Sequence, residues 1–136
     1  MTNKLEKVIE KYIEARGARK TAVARVRLVG EAGFVVNGKD YKDYFKLSKH
    51  RLAVESPLSL VGLEKKMGVS VKVVGGGLTG QAEAVRHGLA GVLVKHNEEF
   101  RKTMRSSGFL TRDPRVVERK KYGLKKARRA PQWAKR

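Results

Sequence analysis

Apolar residues recur along this chain with two different periods. From Leu5 to Ala15 (LEKVIEKYIEA), Leu5, Val8, Ile9, Tyr12 and Ile13 return at helical spacing, which predicts a short amphipathic helix with one stripe facing the body or a partner. Arg16 to Lys20 read as a basic loop. From Thr21 to Val29 the period drops to two. Ala22, Ala24, Val26 and Leu28 share one face of a predicted strand, while Arg25 and Arg27 share the other, in phase with Arg19. One face suits packing against helices. The other presents guanidinium groups, either to phosphate or, on the plainer reading, to solvent.

Further along, Gly30 to Gly33 turn the chain and Phe34 to Val36 predict a second strand. Asn37-Gly38 is a hairpin signal, because both residues tolerate positive φ, and a short third strand follows around Lys39 to Tyr41. Tyr44, Phe45 and Leu47 supply anchoring bulk. His50 to Val54 and Leu58 to Leu63 read as two helical pieces broken at Pro57. Val69, Val71 and Val73 alternate with Ser70 and Lys72 in a fourth strand with one buried face. After the loop Gly75-Gly76-Gly77-Leu78-Thr79-Gly80-Gln81, the positions Ala82, Val85, Leu89, Val92 and Leu93 mark an amphipathic helix running to about His96. Asn97 can cap another helix, Glu98 to Ser106, which Gly108 closes. From Thr111 onward the apolar periodicity fades, and no internal repeat is visible. These patterns divide the chain into an N-terminal helix (1–15), a folded unit (16–111) and a basic tail (112–136).

Charge changes the picture most at the end of the chain. Lys120 to Arg136, KKYGLKKARRAPQWAKR, contains no acidic residue and too little apolar surface to offset the entropy of folding. Like charges favour an extended shape, which would reach roughly 55–60 Å. Such an arm suits a polyanion: Tyr122 and Trp133 are planar groups able to stack on a base or sugar, and the forks of Arg128 and Arg129 can grip phosphate oxygens in pairs. A solvated tail or a localisation signal is the plainer alternative. The 136-residue chain has a formal net charge of +19 and a pI near 10.6. Residues 119–136 account for nine of those charges, leaving ten for the rest. A basic excess spread over body and arm fits a large polyanion better than a small acidic ligand.

Other chemistry is thinly represented. No apolar stretch has transmembrane length, so no membrane role is expected, and charges interrupt every apolar run near the start, so no secretory signal is expected. The chain has no cysteine, which removes disulfides, thiolate chemistry and Cys-ligated zinc. Gly75, Gly77 and Gly80 form G-x-G-x-x-G between a strand and a helix, the setting of a dinucleotide fingerprint. The match stops there: Lys95, His96, Asn97 and Glu98 occupy the place where a second parallel strand should end in an acid. The loop is then either a tight turn or a backbone cradle for an anion, in this chain an RNA phosphate. His50, His87 and His96 lack ligand spacing, and no pair of carboxylates is placed for acid–base work. No enzyme activity, cofactor, metal or small-molecule substrate is expected.

Three blocks carry a family resemblance: GARKTAVARVRL (17–28), GGGLTGQAEAVRHGLA (75–90) and TRDPRVVERKKYGLKKARRAPQWAKR (111–136). Together they resemble the bacterial-type ninth protein of the small ribosomal subunit, and the last block is the most specific. The resemblance implies an α+β fold: a two-layer α/β sandwich of about four strands with helices on one face, like the second domain of ribosomal protein five, plus the N-terminal helix and the extended tail. It implies binding to 16S rRNA in the subunit head, with neighbouring head proteins as partners, and an arm ending at the anticodon stem-loop of P-site tRNA. The rRNA-binding candidates are Arg16, Arg19, Lys20, Arg25 and Arg27 in the first block, and Gly75, Gly76, Gly77 and Gln81 at the glycine loop. Along the arm they are Arg112, Arg115, Arg119, Lys120, Lys121, Lys125, Lys126, Arg128 and Arg129; Lys135 and Arg136 are the tRNA-binding candidates. Ala18, where the family usually has a basic residue, and Gly91, where it commonly has Arg or Lys, depart from the pattern. Trp133 replaces Phe or Tyr and keeps the aromatic. The implied setting is a cytoplasmic ribosome, with an organellar ribosome still open. The alternative function is a general nucleic-acid-packaging protein of the nucleoid or RNA-chaperone kind.

Overall fold

Small residues set the first hairpin. The computed structural model of the chain describes residues 12–30 and 32–135. β1 (Ile13–Arg19) pairs antiparallel with β2 (Ala22–Val29), with Gly17 opposite Ala24 and Arg19 opposite Ala22. The connecting turn is Lys20-Thr21, and Lys20 sits at φ 53. β2 follows its alternation, with Ala22, Ala24, Val26 and Leu28 buried. β1 corrects two expectations. Ile13 to Ala15 extend the strand instead of a helix, and Arg16 to Arg19 belong to it instead of a basic loop. The rest of the expected N-terminal helix lies outside the described residues. The apolar stripe misled because β1 buries Ala15, Gly17 and Ala18, which carry almost no hydrophobic signal.

β3 (Gly33–Val36) and the short β4 (Lys39–Asp40) form the second hairpin. Its turn places Asn37 at φ 51 and Gly38 at φ 81, the mirror-image geometry that matches strand twist. Asn37 also extends the sheet. Its N–H donates to the Val71 carbonyl (2.9 Å), while its side-chain amide accepts from Val73 N–H (2.9 Å) and donates to Val73 O (3.0 Å). β5 (Gly68–Val74) lies in the middle, antiparallel to β2 and parallel to β3, giving the order β1-β2-β5-β3-β4. The sheet therefore has five strands where about four were expected, and the additional strand is β1.

The helices cover one face. A one-turn α1 (Tyr41–Tyr44) leads to α2 (Ser48–Val61), which runs unbroken through Pro57. This corrects the expected break. Proline removes the N–H that would bond the Ala53 carbonyl four residues earlier. The Ser56 hydroxyl donates to that carbonyl instead (2.7 Å), so the helix continues. α3 (Leu78–His96) is the main helix, and α4 begins at Phe100 (Phe100–Ser106), after a turn in which Asn97 Oδ1 accepts from Glu99 N–H (3.1 Å). One core joins them: Val26, Val71 and Val73 from the sheet, Val85, Leu89 and Leu93 from α3, Phe45, Val54 and Leu58 near α1 and α2, and Met104 from α4. α3 lies unusually close to β1. A Cβ on Gly17 would fall under 3.0 Å from the Ala84 oxygen and Gly88 nitrogen, and one on Gly88 would stand 2.8 Å from a Val26 methyl. The fold is thus an α+β sandwich, and among the described residues the opposite sheet face carries no helix. No helix among the described residues is long and apolar enough to cross a membrane.

Candidate nucleic-acid interface

Register alone assembles a cationic row on the sheet face opposite these helices. Arg16 on β1 lies opposite Arg25 on β2, which lies opposite Lys72 on β5, and all three side chains are exposed. The neighbouring row holds Glu14, Arg27 and Ser70. Glu14 partly neutralises it: one carboxylate oxygen accepts from Arg27 Nε at 3.0 Å, the other is 4.0 Å from Arg25 Nε, and the Arg27 guanidinium lies 4.5 Å from the Tyr12 ring centroid. Half-buried pairs that still touch solvent are modest in strength, so a phosphate can compete for these guanidiniums. Lys72 was missing from the sequence-derived candidates. The alternation of β5 already put it outward; only the strand order places it beside Arg25.

Arg19 is not on this face, which corrects the expected common phase with Arg25 and Arg27. Across a two-residue turn the pairing reverses parity, so Arg16 takes that place. Arg19 points to the helix side. Its Nε lies 2.8 Å from Glu83 Oε2 on α3, and its guanidinium pairs with Asp113, leaving the side chain 15% exposed.

At the end of the sheet, Gly75 (φ 76) and Gly76 (φ 64) bend the chain from β5 into α3. Their glycines are required twice over. The backbone is left-handed, and a Cβ would stand 2.6 Å from Thr21 O at Gly75 and 2.9 Å from the Ala22 methyl at Gly76. The loop therefore packs against the β1–β2 turn and sits near Lys20. Gly75, Gly76 and Gly77 are exposed, and the first turn of α3 has no acidic residue. Gln81 is committed internally: it donates to Gly75 O (3.0 Å) and accepts from the Tyr44 hydroxyl (2.7 Å), which holds the loop on the helix.

Residues 112–135 contain no helix or strand. Arg112, Arg115, Arg119, Lys120, Lys121, Lys125, Lys126, Arg128, Arg129 and Lys135 are all exposed; Arg136 lies outside the described residues. Arg115 is tied to Asp113 (Nη2 to Oδ2 2.6 Å), and Glu118 pairs with Lys121 and with Arg128 (3.0 Å). Tyr122 is 100% and Trp133 90% exposed, so neither packs on the chain.

The histidines are structural where they are buried. His50 bonds the Thr79 hydroxyl (3.0 Å) beside Phe45, and His87 bonds backbone atoms. Among the described residues no group of three or more His, Asp or Glu could hold a metal. What the geometry offers is a cationic sheet face, a glycine loop and a long exposed run of Lys and Arg, an arrangement for a polyanion. Residues 17–136 match the family described as ribosomal protein S9/S16, so the chain belongs to that family of small-subunit ribosomal proteins, structural components of the ribosome that bind rRNA.

Proposed function

We propose that the folded body seats on 16S rRNA in the head of the small subunit, and that the arm runs on through RNA to the anticodon stem-loop of P-site tRNA. The observation that carries this reading is the run of exposed cations from Arg119 to Lys135, in which only Lys121 and Arg128 have an acidic partner among the described residues. A charge density of that kind gains free energy when phosphates replace counterions. Arg16, Lys20, Arg25, Arg27 and the loop Gly75–Gly77 would meet phosphates at the body, joined by Lys72. Such contacts fix position and orientation without reading sequence. Lys135 and Arg136, at the end of the chain, would touch tRNA phosphates. Neighbouring head proteins complete the surroundings, and the work is done in the cytoplasm. The test is to remove Lys135 and Arg136 and measure tRNA affinity for the P site alongside incorporation of the protein into subunits. The expected result is weaker tRNA binding with incorporation retained; unchanged tRNA affinity would overturn the tip assignment.

A further inference from the structure

The joint between body and arm is built from side chains that the RNA-binding reading leaves without a task. His87 on α3 accepts from Ala18 N–H at Nδ1 (3.3 Å) and donates from Nε2 to the Leu110 carbonyl (3.2 Å), so one imidazole joins β1 to the chain entering the arm. Beside it, Phe109 N–H donates to Met104 O (3.1 Å), and the Arg86 guanidinium lies 5.3 Å from the Phe109 ring centroid. Asp113 comes next. It pairs with Arg19 from the end of β1, which Glu83 holds from the other side, and it accepts from the Arg115 backbone N–H (2.9 Å) and guanidinium (2.9 and 3.0 Å). Pro114 follows, restricting both its own φ and the conformation of Asp113. These groups line a cleft of about 340 Å³ in the angle between body and arm.

An acid at the root of a cationic arm works against phosphate binding unless it has another purpose. Asp113 sits between two guanidiniums, and Arg19 is too enclosed to meet a phosphate without leaving both of its carboxylates. We infer that Arg19 and Asp113 are positioning residues: their clasp sets the direction in which the arm leaves the body. Beyond Arg115, which Asp113 itself holds, the next cation is Arg119, only six residues past Asp113. A freely rotating joint there would scatter the arm over a wide volume. A fixed joint raises the effective concentration of the arm's cations along one path and removes part of the ordering cost of binding. This inference rests on the reading that the arm binds RNA.

The test uses the full chain, whose lack of cysteine lets a pair of introduced cysteines report alone. Spin labels at exposed Lys102 on α4 and exposed Val117 in the arm give the distance distribution across the joint. Asp113→Asn and Arg19→Gln should each broaden it, and Asp113→Glu should keep it narrow. Affinity for small-subunit RNA is then measured with the native arm and with Lys120, Lys121, Lys125, Lys126, Arg128 and Arg129 changed to Gln. Removing an acid from a basic surface ordinarily tightens RNA binding. Here Asp113→Asn should weaken it, by roughly three- to tenfold with the native arm and not at all with the neutralised arm. An unchanged distance distribution, tighter binding, or an equal loss in both backgrounds overturns the clasp. Failure of the neutralised arm to weaken binding overturns the arm's RNA role instead, while the distance distribution still decides the clasp.

Discussion

The body and the arm treat the same residue types differently. In the body, several cations are tied to the fold: Arg19 between Glu83 and Asp113, Arg51 on the carbonyls of Phe45 and Lys46, Lys95 on the Glu14 carbonyl (2.9 Å). Large apolar groups such as Phe45, Leu89 and Leu93 are fully buried. In the arm, Arg119, Lys120, Lys125, Lys126 and Arg129 have no acidic partner among the described residues, and Val117, Tyr122 and Trp133 stand in solvent. The body therefore draws its stability from burial, whereas the arm can release free energy only against a partner. The two should be separable: changes in the arm should alter binding and leave folding alone, and changes in the core should do the reverse.

The strongest way to break that separation is to neutralise the arm. Changing Lys120, Lys121, Lys125, Lys126, Arg128 and Arg129 to Gln should weaken binding to small-subunit RNA by roughly 10²–10³-fold and lower the slope of log K against log salt by about four, judged by filter binding from low to moderate salt. The thermal midpoint should hardly move, because none of these side chains is buried. The reverse experiment is Gly17→Ala. Its methyl would meet backbone atoms of Ala84 and Gly88, which cannot rotate away, so denaturant unfolding should show a loss of about 2–3 kcal/mol or more. The salt slope of whatever remains folded should stay near its original value.

The sheet face opposite the helices belongs to the body by position and to the arm by chemistry, which makes it the sharper probe. Arg25→Gln and Lys72→Gln should each reduce the salt slope by about one and weaken RNA binding uniformly across sequences, with no change in unfolding. Unaltered binding in the double variant would assign the whole interface to the arm. The smallest effect concerns pH. Burial, together with the hydrogen bond to Glu55, raises the Tyr41 hydroxyl from its ordinary value to about 12. A raised acid pKa means the folded chain holds its proton more tightly. Its contribution is therefore complete below about pH 10 and is lost as pH rises towards 12. Tyr41→Phe should flatten that decline in pH-dependent unfolding and leave RNA affinity untouched.

Much of this was legible in the residues and some was not, for identifiable reasons. The alternation in Ala22–Leu28 and in Val69–Val73, the Asn37-Gly38 turn and the stripe of α3 are short-range signals, and each marked its element. β1 escaped because its buried positions are alanine and glycine, chosen for close approach to α3 rather than for hydrophobicity. Pro57 suggested a break because its missing N–H is visible in sequence, whereas the Ser56 hydroxyl bonded to Ala53 O is a detail of the folded helix. Among the site residues, Arg25 and Arg27 were placed on the correct face. Arg19 falls on the other face, because the two-residue turn at Lys20-Thr21 reverses the alternation between β1 and β2.

By itself the sequence determined the charge, the uncompensated cationic arm, the exclusion of cysteine chemistry and the main strand and helix periods. These follow from composition and from neighbours a few residues apart, so no folded structure is needed to read them. Only the tertiary structure decided which cations share a surface. Strand order set Lys72 beside Arg25 and Arg16, and the approach of β1 to α3 enclosed Arg19 between Glu83 and Asp113. That the Arg19 guanidinium meets carboxylates and not solvent depends on Glu83 and Asp113, far away in the chain, and no local pattern carries that information.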